Sequence, residues 1–196
     1  MVSSPTASVG RPRSGARRLP TGSARDEILD AAAELFAERG YAATSTRMIA
    51  EMVGVRQASL YYHFKTKEQI LAELLESTVR PSVDYASSLP EQGLDPAEAL
   101  RALVRYDVGV LLGARWNAGI LYALPEIATE PFTRFRAERE RLRLAYRRLA
   151  GGDVPGDLVL GLVESVIGMR RDLATLPPHE ELQEAVATAA LRLTTL

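Results

Sequence analysis

The sequence predicts an all-α protein. Ala, Leu, Arg and Glu recur at helical spacing, and runs of alternating β-branched residues between turns are scarce. With 196 residues, 46% of them apolar, the chain can bury one good core and a small appended domain, as a soluble globular protein. There is no Cys, and the histidines are His63 and His179. Disulfides and thiolate metal sites are therefore excluded, a multi-His centre is argued against, and neither a metal nor a cofactor is expected. No apolar stretch follows the scattered N-terminal arginines, and no later segment has the uncharged length of a membrane span. A cytoplasmic protein with no membrane partner is expected. The net charge of −1 hides an uneven distribution. Arg11, Arg13, Arg17, Arg18 and Arg25 precede the first acid, Asp26, and the cluster Arg47, Arg56, Lys65 and Lys67 is opposed only by Glu51.

The elements follow in order. Residues 1 to about 22, rich in Ser, Pro, Gly and Arg, cannot form a core and read as a disordered basic arm, either a solvated tail or a minor-groove arm. The first helix starts at Ser23, a capping hydroxyl, with Asp26 favouring the positive end of its dipole. Ile28, Leu29, Ala32, Leu35 and Phe36 form its apolar stripe, and Gly40 supplies a left-handed stop. Thr44 is expected to cap the second helix, whose apolar face is Met48, Ile49, Met52 and Val53, and Gly54 marks a turn. Val55, Leu60 and Phe64 give the third helix a buried side and leave Gln57, Ser59, Tyr61 and His63 facing outward. Two short helices around a glycine turn, followed by a basic aromatic edge, form the pattern of a DNA-reading helix-turn-helix. Thr66 with Gln69 reads as a capping box that opens a fourth, linking helix through Leu71, Leu74 and Leu75, which Pro81 ends or kinks. Residues 23–80 thus make a DNA-binding domain, and residues 81–196 a larger helical one. There, Asp95-Pro96-Ala97-Glu98 is a helix start with Asp as cap and Pro at the first position. Helices are predicted from Pro96 to Leu112, Arg115 to Leu124, Pro131 to Ala150, Gly156 to Ala174 and Pro178 to Leu193.

The stretch from Tyr41 to Leu71 resembles the TetR family of bacterial transcriptional regulators. The resemblance rests on Thr44-Ser45 before the second helix, Ile49-Ala50 within it, and Leu60-Tyr61-Tyr62-His63-Phe64 before Lys65-Thr66-Lys67-Glu68. It covers residues 23–75, and the remainder fits by helix number and length. It implies a homodimer whose third helices enter successive major grooves of a double-stranded operator, and a C-terminal domain that holds a small-molecule effector. Carried over by position, Thr46 and Arg47 would meet phosphates, while Gln57, Ala58, Ser59, Tyr61 and His63 would face the groove. Gln57 could pair with an adenine edge, Ala58 touch a thymine methyl, and Ser59 accept or donate. Tyr61, Tyr62, His63 and Lys67 are also placed to hold phosphates. Tyr62 and His63 could equally be packing residues. Arg56 departs from the Ser often found there and lacks an acceptor for a capping bond, so it is expected on a phosphate instead.

In the larger domain Leu103, Tyr106 and Val110 share a helical face with Gly109 and Gly113 beside them. Those glycines leave room either for a ligand or for a close helix crossing. Trp116, Asn117, Ile120, Phe132 and Phe135 could add aromatic walls and polar anchors to an effector site. Asp107 interrupts an apolar run, and would recognise a ligand, pair with Arg105 or face solvent. Leu158, Leu162, Val166 and Met169, with Leu182, Val186, Ala189 and Leu193 on the last helix, suit a four-helix dimer interface, or else cover the monomer's own core. The arginines from Arg134 to Arg148 read as a solvated face with i,i+4 pairs.

The function these features predict is a homodimeric repressor that binds a palindromic operator and is released by an effector. The alternatives are a helical ligand carrier or partner-binding module, and a helical enzyme. The enzyme lacks any nucleophile, base or metal cluster to carry it.

Overall fold

The computed structural model describes Leu19 and residues 22–194, so the predicted basic arm lies almost wholly outside the described residues. Among those residues there are eight α-helices and no strand. They are α1 (Ala24–Arg39), α2 (Thr46–Val53), α3 (Gln57–His63), α4 (Lys67–Ser88), α5 (Pro96–Gly113), α6 (Thr133–Leu149), α7 (Asp153–Asp172) and α8 (His179–Leu193). No helix among them is long and apolar enough to cross a membrane.

Helix α1 begins with a reciprocal capping box. The Asp26 amide donates to Ser23 Oγ at 3.2 Å and the Ser23 amide to Asp26 Oδ2 at 2.8 Å, which satisfies two donors that a helix start otherwise leaves unpaired. Its stripe of Ile28, Ala32, Leu35 and Phe36 is buried against α2 and α4. Gly40 stops it with φ +83° but an extended ψ of 155°, so the stop shares only its positive φ with a left-handed cap. The cap of α2 is Ser45, whose Oγ accepts from the Met48 amide at 3.2 Å, and not Thr44. Thr44 is buried instead, and its hydroxyl contacts the carbonyls of Leu35 and Gly40, closing the end of α1. At the start of α4, Thr66 Oγ1 accepts from the Gln69 amide, but the Gln69 side chain takes the Lys65 amide, one residue before the cap. The predicted box is therefore offset by one position.

Pro81 does not end α4. The helix continues through it to Ser88, although proline removes the N–H that would bond the Ser77 carbonyl and costs about 3 kcal/mol in a helix interior. Burial on both sides offsets that cost. Ile70, Leu71 and Leu75 are fully buried beneath α1, and Val79, Val83 and Ala86 are buried against α5 and α6. Each large side chain contributes roughly 1.5–3 kcal/mol. Helix α5 packs on α4 and α8, and α6 lies between α4 and α7.

The helix predicted from Arg115 to Leu124 is absent. The chain makes short 3-10 turns at Ala118–Ala123, Pro125–Ala128 and Glu130–Phe132. Pro125 and Pro131 break the ladder, the Asn117 side chain donates to the Ile167 carbonyl at 2.9 Å, and Gly119 lies tightly under the Ile167 side chain. The α6 arginines also differ from expectation. Arg134 reaches Glu76 on α4, Arg139 reaches Glu164 on α7, and Arg147 grips Asp157 with two bonds of 2.7 and 2.8 Å, so they tie helices together. Pairs within α6 are spaced i,i+3, namely Glu138 with Arg141 and Glu140 with Arg143.

The α6–α7 corner is the tightest backbone approach. A Cβ on Gly156 would sit 2.4 Å from Arg147 Cα and 2.6 Å from its amide nitrogen, atoms that no side-chain rotation can clear. Gly156→Ala is therefore expected to lower stability by about 1–3 kcal/mol in urea titration, as overpacking does. A variant as stable as the parent would show that the corner opens freely.

Candidate nucleic-acid interface and effector cleft

Helices α2 and α3 meet across Gly54, whose φ of +73° and ψ of 29° are left-handed. Its amide donates to Ala50 and Glu51 carbonyls, and the Val55 amide to Ala50 O at 3.0 Å, so the turn is closed by backbone bonds. Ile49 and Leu60 anchor the two helices with no exposure at all. Gln57, Ala58 and Ser59 are consequently presented on the open face of α3, with Tyr62 at 80% exposure beside them. Tyr62 is therefore open to contact, its ring meeting the edge of the His63 ring.

Three of the expected DNA-contacting residues are already bonded to one another. Gln57 Nε2 donates to Thr46 Oγ1 at 3.2 Å and to Tyr61 OH at 3.4 Å, and the two hydroxyls are 3.1 Å apart. This ties the first turn of α3 to the N-terminus of α2 and orients Gln57. Arg47 pairs with Glu51 at 2.8 Å, the accepting carboxylate raising its pKa, but both side chains are largely exposed, so the pair is weak. Arg56 is exposed, with no side-chain capping bond. His63 is half-buried with its ring edge-on to Tyr62 at 5.3 Å. Lys67 is more occupied than expected. It donates to the Tyr41 and Thr44 carbonyls at 2.9 Å and lies over the Tyr41 ring, which leaves one of its three donors for a phosphate. Arg25, the last of the arginines that precede Asp26, is structural. Its guanidinium grips Glu73, donates to the His63 carbonyl and lies 4.2 Å over the Phe64 ring, joining α1, α3 and α4.

A cleft of about 480 Å³ opens between α1, α4, α5 and the turn at Ala118–Ala123. Of the predicted effector residues, Val110, Trp116 and Asn117 line it. The others do not. Leu103, Phe132 and Phe135 are fully buried core, Ile120 packs against that core, and Tyr106 stacks on Tyr85 with centroids 4.1 Å apart. Leu29, Asp30 and Ala33 of α1, Ser77 and Thr78 of α4 and Arg170 of α7 also line it, and no pattern in the sequence assigns them to a cleft. Asp30 accepts from Trp116 Nε1 at 2.9 Å and from Arg115 Nη1 at 3.2 Å, joining the reading head to the larger domain at the mouth of the cleft. Both readings of the paired glycines apply. Gly113 opens on the cleft with nothing within 4 Å of its Cβ direction, while a Cβ on Gly109 would lie 2.6 Å from the Gln183 side chain of α8.

Asp107 neither faces solvent nor meets Arg105, which pairs with Glu184 of α8. It is buried, accepting from Ser82 Oγ at 2.7 Å and from Tyr146 OH at 2.9 Å. Burial pushes its pKa from 3.8 up to about 6, against the opposing pull of those two bonds. The proposed dimer residues also divide. Val166, Leu182 and Val186 are buried in the chain's own core, so the alternative holds for them. Leu162, Met169, Leu193 and Ala189 are half-buried, and Leu158 is 51% exposed. Val154, at 71% exposure one turn before Leu158, extends the open apolar face of α7, and Pro155 and Gly156 mask that helix start in the sequence.

A helix-turn-helix with an exposed reading helix, carried on a helical domain with a small-molecule cleft, defines a DNA-binding transcriptional regulator. Residues 28–74 match the profile of the bacterial regulatory proteins of the tetR family. The chain is 47% identical to AmtR of Mycobacterium smegmatis, covering 92% of this chain and 90% of that one, with a TM-score of 0.86. PfmR of Thermus thermophilus, a TetR family transcriptional regulator, is 28% identical over 84% of this chain and 97% of its own, with a TM-score of 0.71. The transcriptional repressor KstR2 of Rhodococcus jostii is 42% identical over 80 residues, 41% of this chain and only 39% of KstR2. The chain belongs to the TetR family.

The buried carboxyl has a measurable consequence. Because folding raises the pKa of Asp107, the folded state binds the extra proton between pH 3.8 and about 6. Its contribution to stability is thus greatest at the acid end of that window and is lost as pH rises through it. Urea titrations should show Asp107→Asn gaining on the parent as pH rises across this range. A difference independent of pH would contradict the raised value.

Proposed function

We propose that this protein is a homodimeric repressor that binds a palindromic operator and is released by a small-molecule effector in the cytoplasm. The observation that carries this reading is the exposed Gln57-Ala58-Ser59 face of α3, held on a closed turn with Gln57 oriented by Thr46 and Tyr61. A helix of this kind fits the major groove, where amide, methyl and hydroxyl groups meet base edges. Residues 23–80 act as the reading head and 81–196 as the effector and dimerisation domain, with α4 common to both. The exposed α7 face at Val154 and Leu158 supports two-fold pairing, which sets two reading helices about 34 Å apart on successive grooves. The reading head's likeness to KstR2, itself a repressor, supports the sign of regulation.

Selection of duplexes from a random pool at two salt concentrations tests the proposal. An enriched palindrome, bound with a steep loss of affinity on adding salt, is the expected result. Absent or salt-insensitive binding would favour a ligand carrier. On the selected site, Gln57→Ala should lose about 1–3 kcal/mol, and unchanged affinity would remove Gln57 from the reading set. Leu158→Glu should shift the protein toward monomer in sedimentation. A persistent dimer would place the interface elsewhere.

A further inference from the structure

We infer that the cleft takes a small organic acid, an apolar skeleton ending in a carboxylate, with Arg170 receiving the anion. The assignment deepens the effector reading above and rests on it for its consequence at the operator. Most of the cleft wall is apolar, from Leu29 and Ala33 through Leu74, Val110 and Leu111 to Trp116. Its volume is in the range of small-molecule sites. The charges are what select among apolar ligands. Two arginines and one acid line the cleft, and the acid, Asp30, pairs with Arg115. Arg170 is left with a different kind of partner. Among the described residues its bonds go to the Leu111 and Ala114 carbonyls at the end of α5. Partial burial lowers its pKa, and no carboxylate acts to restore it.

A half-buried guanidinium satisfied only by carbonyl dipoles keeps its charge uncompensated, which is costly away from water. A carboxylate would supply the counter-ion, its two oxygens accepting from two of the three N–H groups that those carbonyls leave over. An amine would be repelled by the net positive wall, and an alcohol would leave the charge as it is. One uncompensated guanidinium suits a monoanion better than a phosphate dianion.

The cleft also touches α4 at its weakest turn. Ser77 and Thr78, both in the wall, turn their hydroxyls back onto the Leu74 and Leu75 carbonyls at 2.7 Å, and Pro81 removes the N–H that would bond the Ser77 carbonyl. The same cleft is lined by the Asp30 junction with Trp116 and Arg115. An acid seated on Arg170 therefore shares one cleft with the α4 turn and with the Asp30 contact between α1 and the larger domain.

Trp116 is the only tryptophan in the chain and stands in the cleft wall, so its emission reports occupancy directly. Octanoate, 1-octanol, octylamine and octyl phosphate share one apolar body and differ in the head group. Octanoate is expected to bind at least about tenfold tighter than the alcohol and the amine, the scale of one charge-assisted bond. Arg170→Gln, which can still donate to a carbonyl but has no charge, should lose that preference, and Arg170→Lys should keep most of it. Equal binding of acid and alcohol, an unchanged preference in Arg170→Gln, or tighter binding of octyl phosphate would each overturn the assignment. Should Arg170→Gln fail to fold, the ligand series on the parent protein decides alone. Operator binding measured on the same samples separates the two readings. Acid binding without operator binding upholds the site and overturns the regulator, whereas operator binding with no acid preference overturns the site alone.

Discussion

Helix α4 is common to both halves of the molecule, and its burial is the constraint on which the rest of the structure depends. Its first three turns place Ile70, Leu71, Leu74 and Leu75 beneath the reading head, and its last turns place Val79, Val83 and Ala86 in the larger domain. Polar groups on the same helix organise their neighbours. Ser82 holds Asp107 of α5, Glu73 holds Arg25 of α1, and Glu76 gathers Arg80 and Arg134. Helix α4 thus supports both the presentation of Gln57 on α3 and the wall of the cleft, to which α1 also contributes Leu29, Asp30 and Ala33.

Apolar burial stabilises this arrangement, and the cross-helix ion pairs orient it. Arg147 with Asp157, Arg139 with Glu164, and Arg101 and Arg105 with Glu184 each join two helices, and all are partly exposed. Such pairs contribute about 0–1 kcal/mol apiece, too little to hold a domain together against the apolar terms. Their geometry nonetheless favours one rotation of each helix about its axis over others that would bury similar area. The buried Asp107 network behaves differently, because its donors, Ser82 and Tyr146, lie on α4 and α6 while the carboxyl lies on α5. Three helices must be in place together before that carboxyl is satisfied.

Much of this is legible in the sequence where the determinants are local. The Ser23 and Asp95 capping boxes, the Gly54 turn and the apolar faces of α2 and α3 depend on residues within a few positions of one another. The reading face follows, since helical periodicity alone turns Gln57 and Ser59 away from Leu60. What is not legible depends on distant partners. Nothing near Arg25 in sequence shows Glu73, and nothing near Asp30 shows Trp116. The wall between α5 and α6 reads as a helix because its apolar spacing is compatible with one, while Asn117 and Gly119 answer to Ile167 on α7. The residues predicted for effector and dimer contacts are mixed with core residues for the same reason. A periodic stripe shows that a face is covered, and only the packed fold shows by what.

The unbroken run of α4 makes it a lever with a definite arm. From Pro81 back to Lys67 is 14 residues, about 21 Å at the rise of an α-helix. A tilt of about 15° at the proline, the size of rotation seen in known subunit transitions, would carry the far end about 5 Å. The major groove is about 12 Å wide, so a displacement of that size would put a reading helix seated in it out of alignment. Small angles at the pivot are sufficient because the arm is long, and the turn most able to yield is the one that Ser77, Thr78 and Pro81 share.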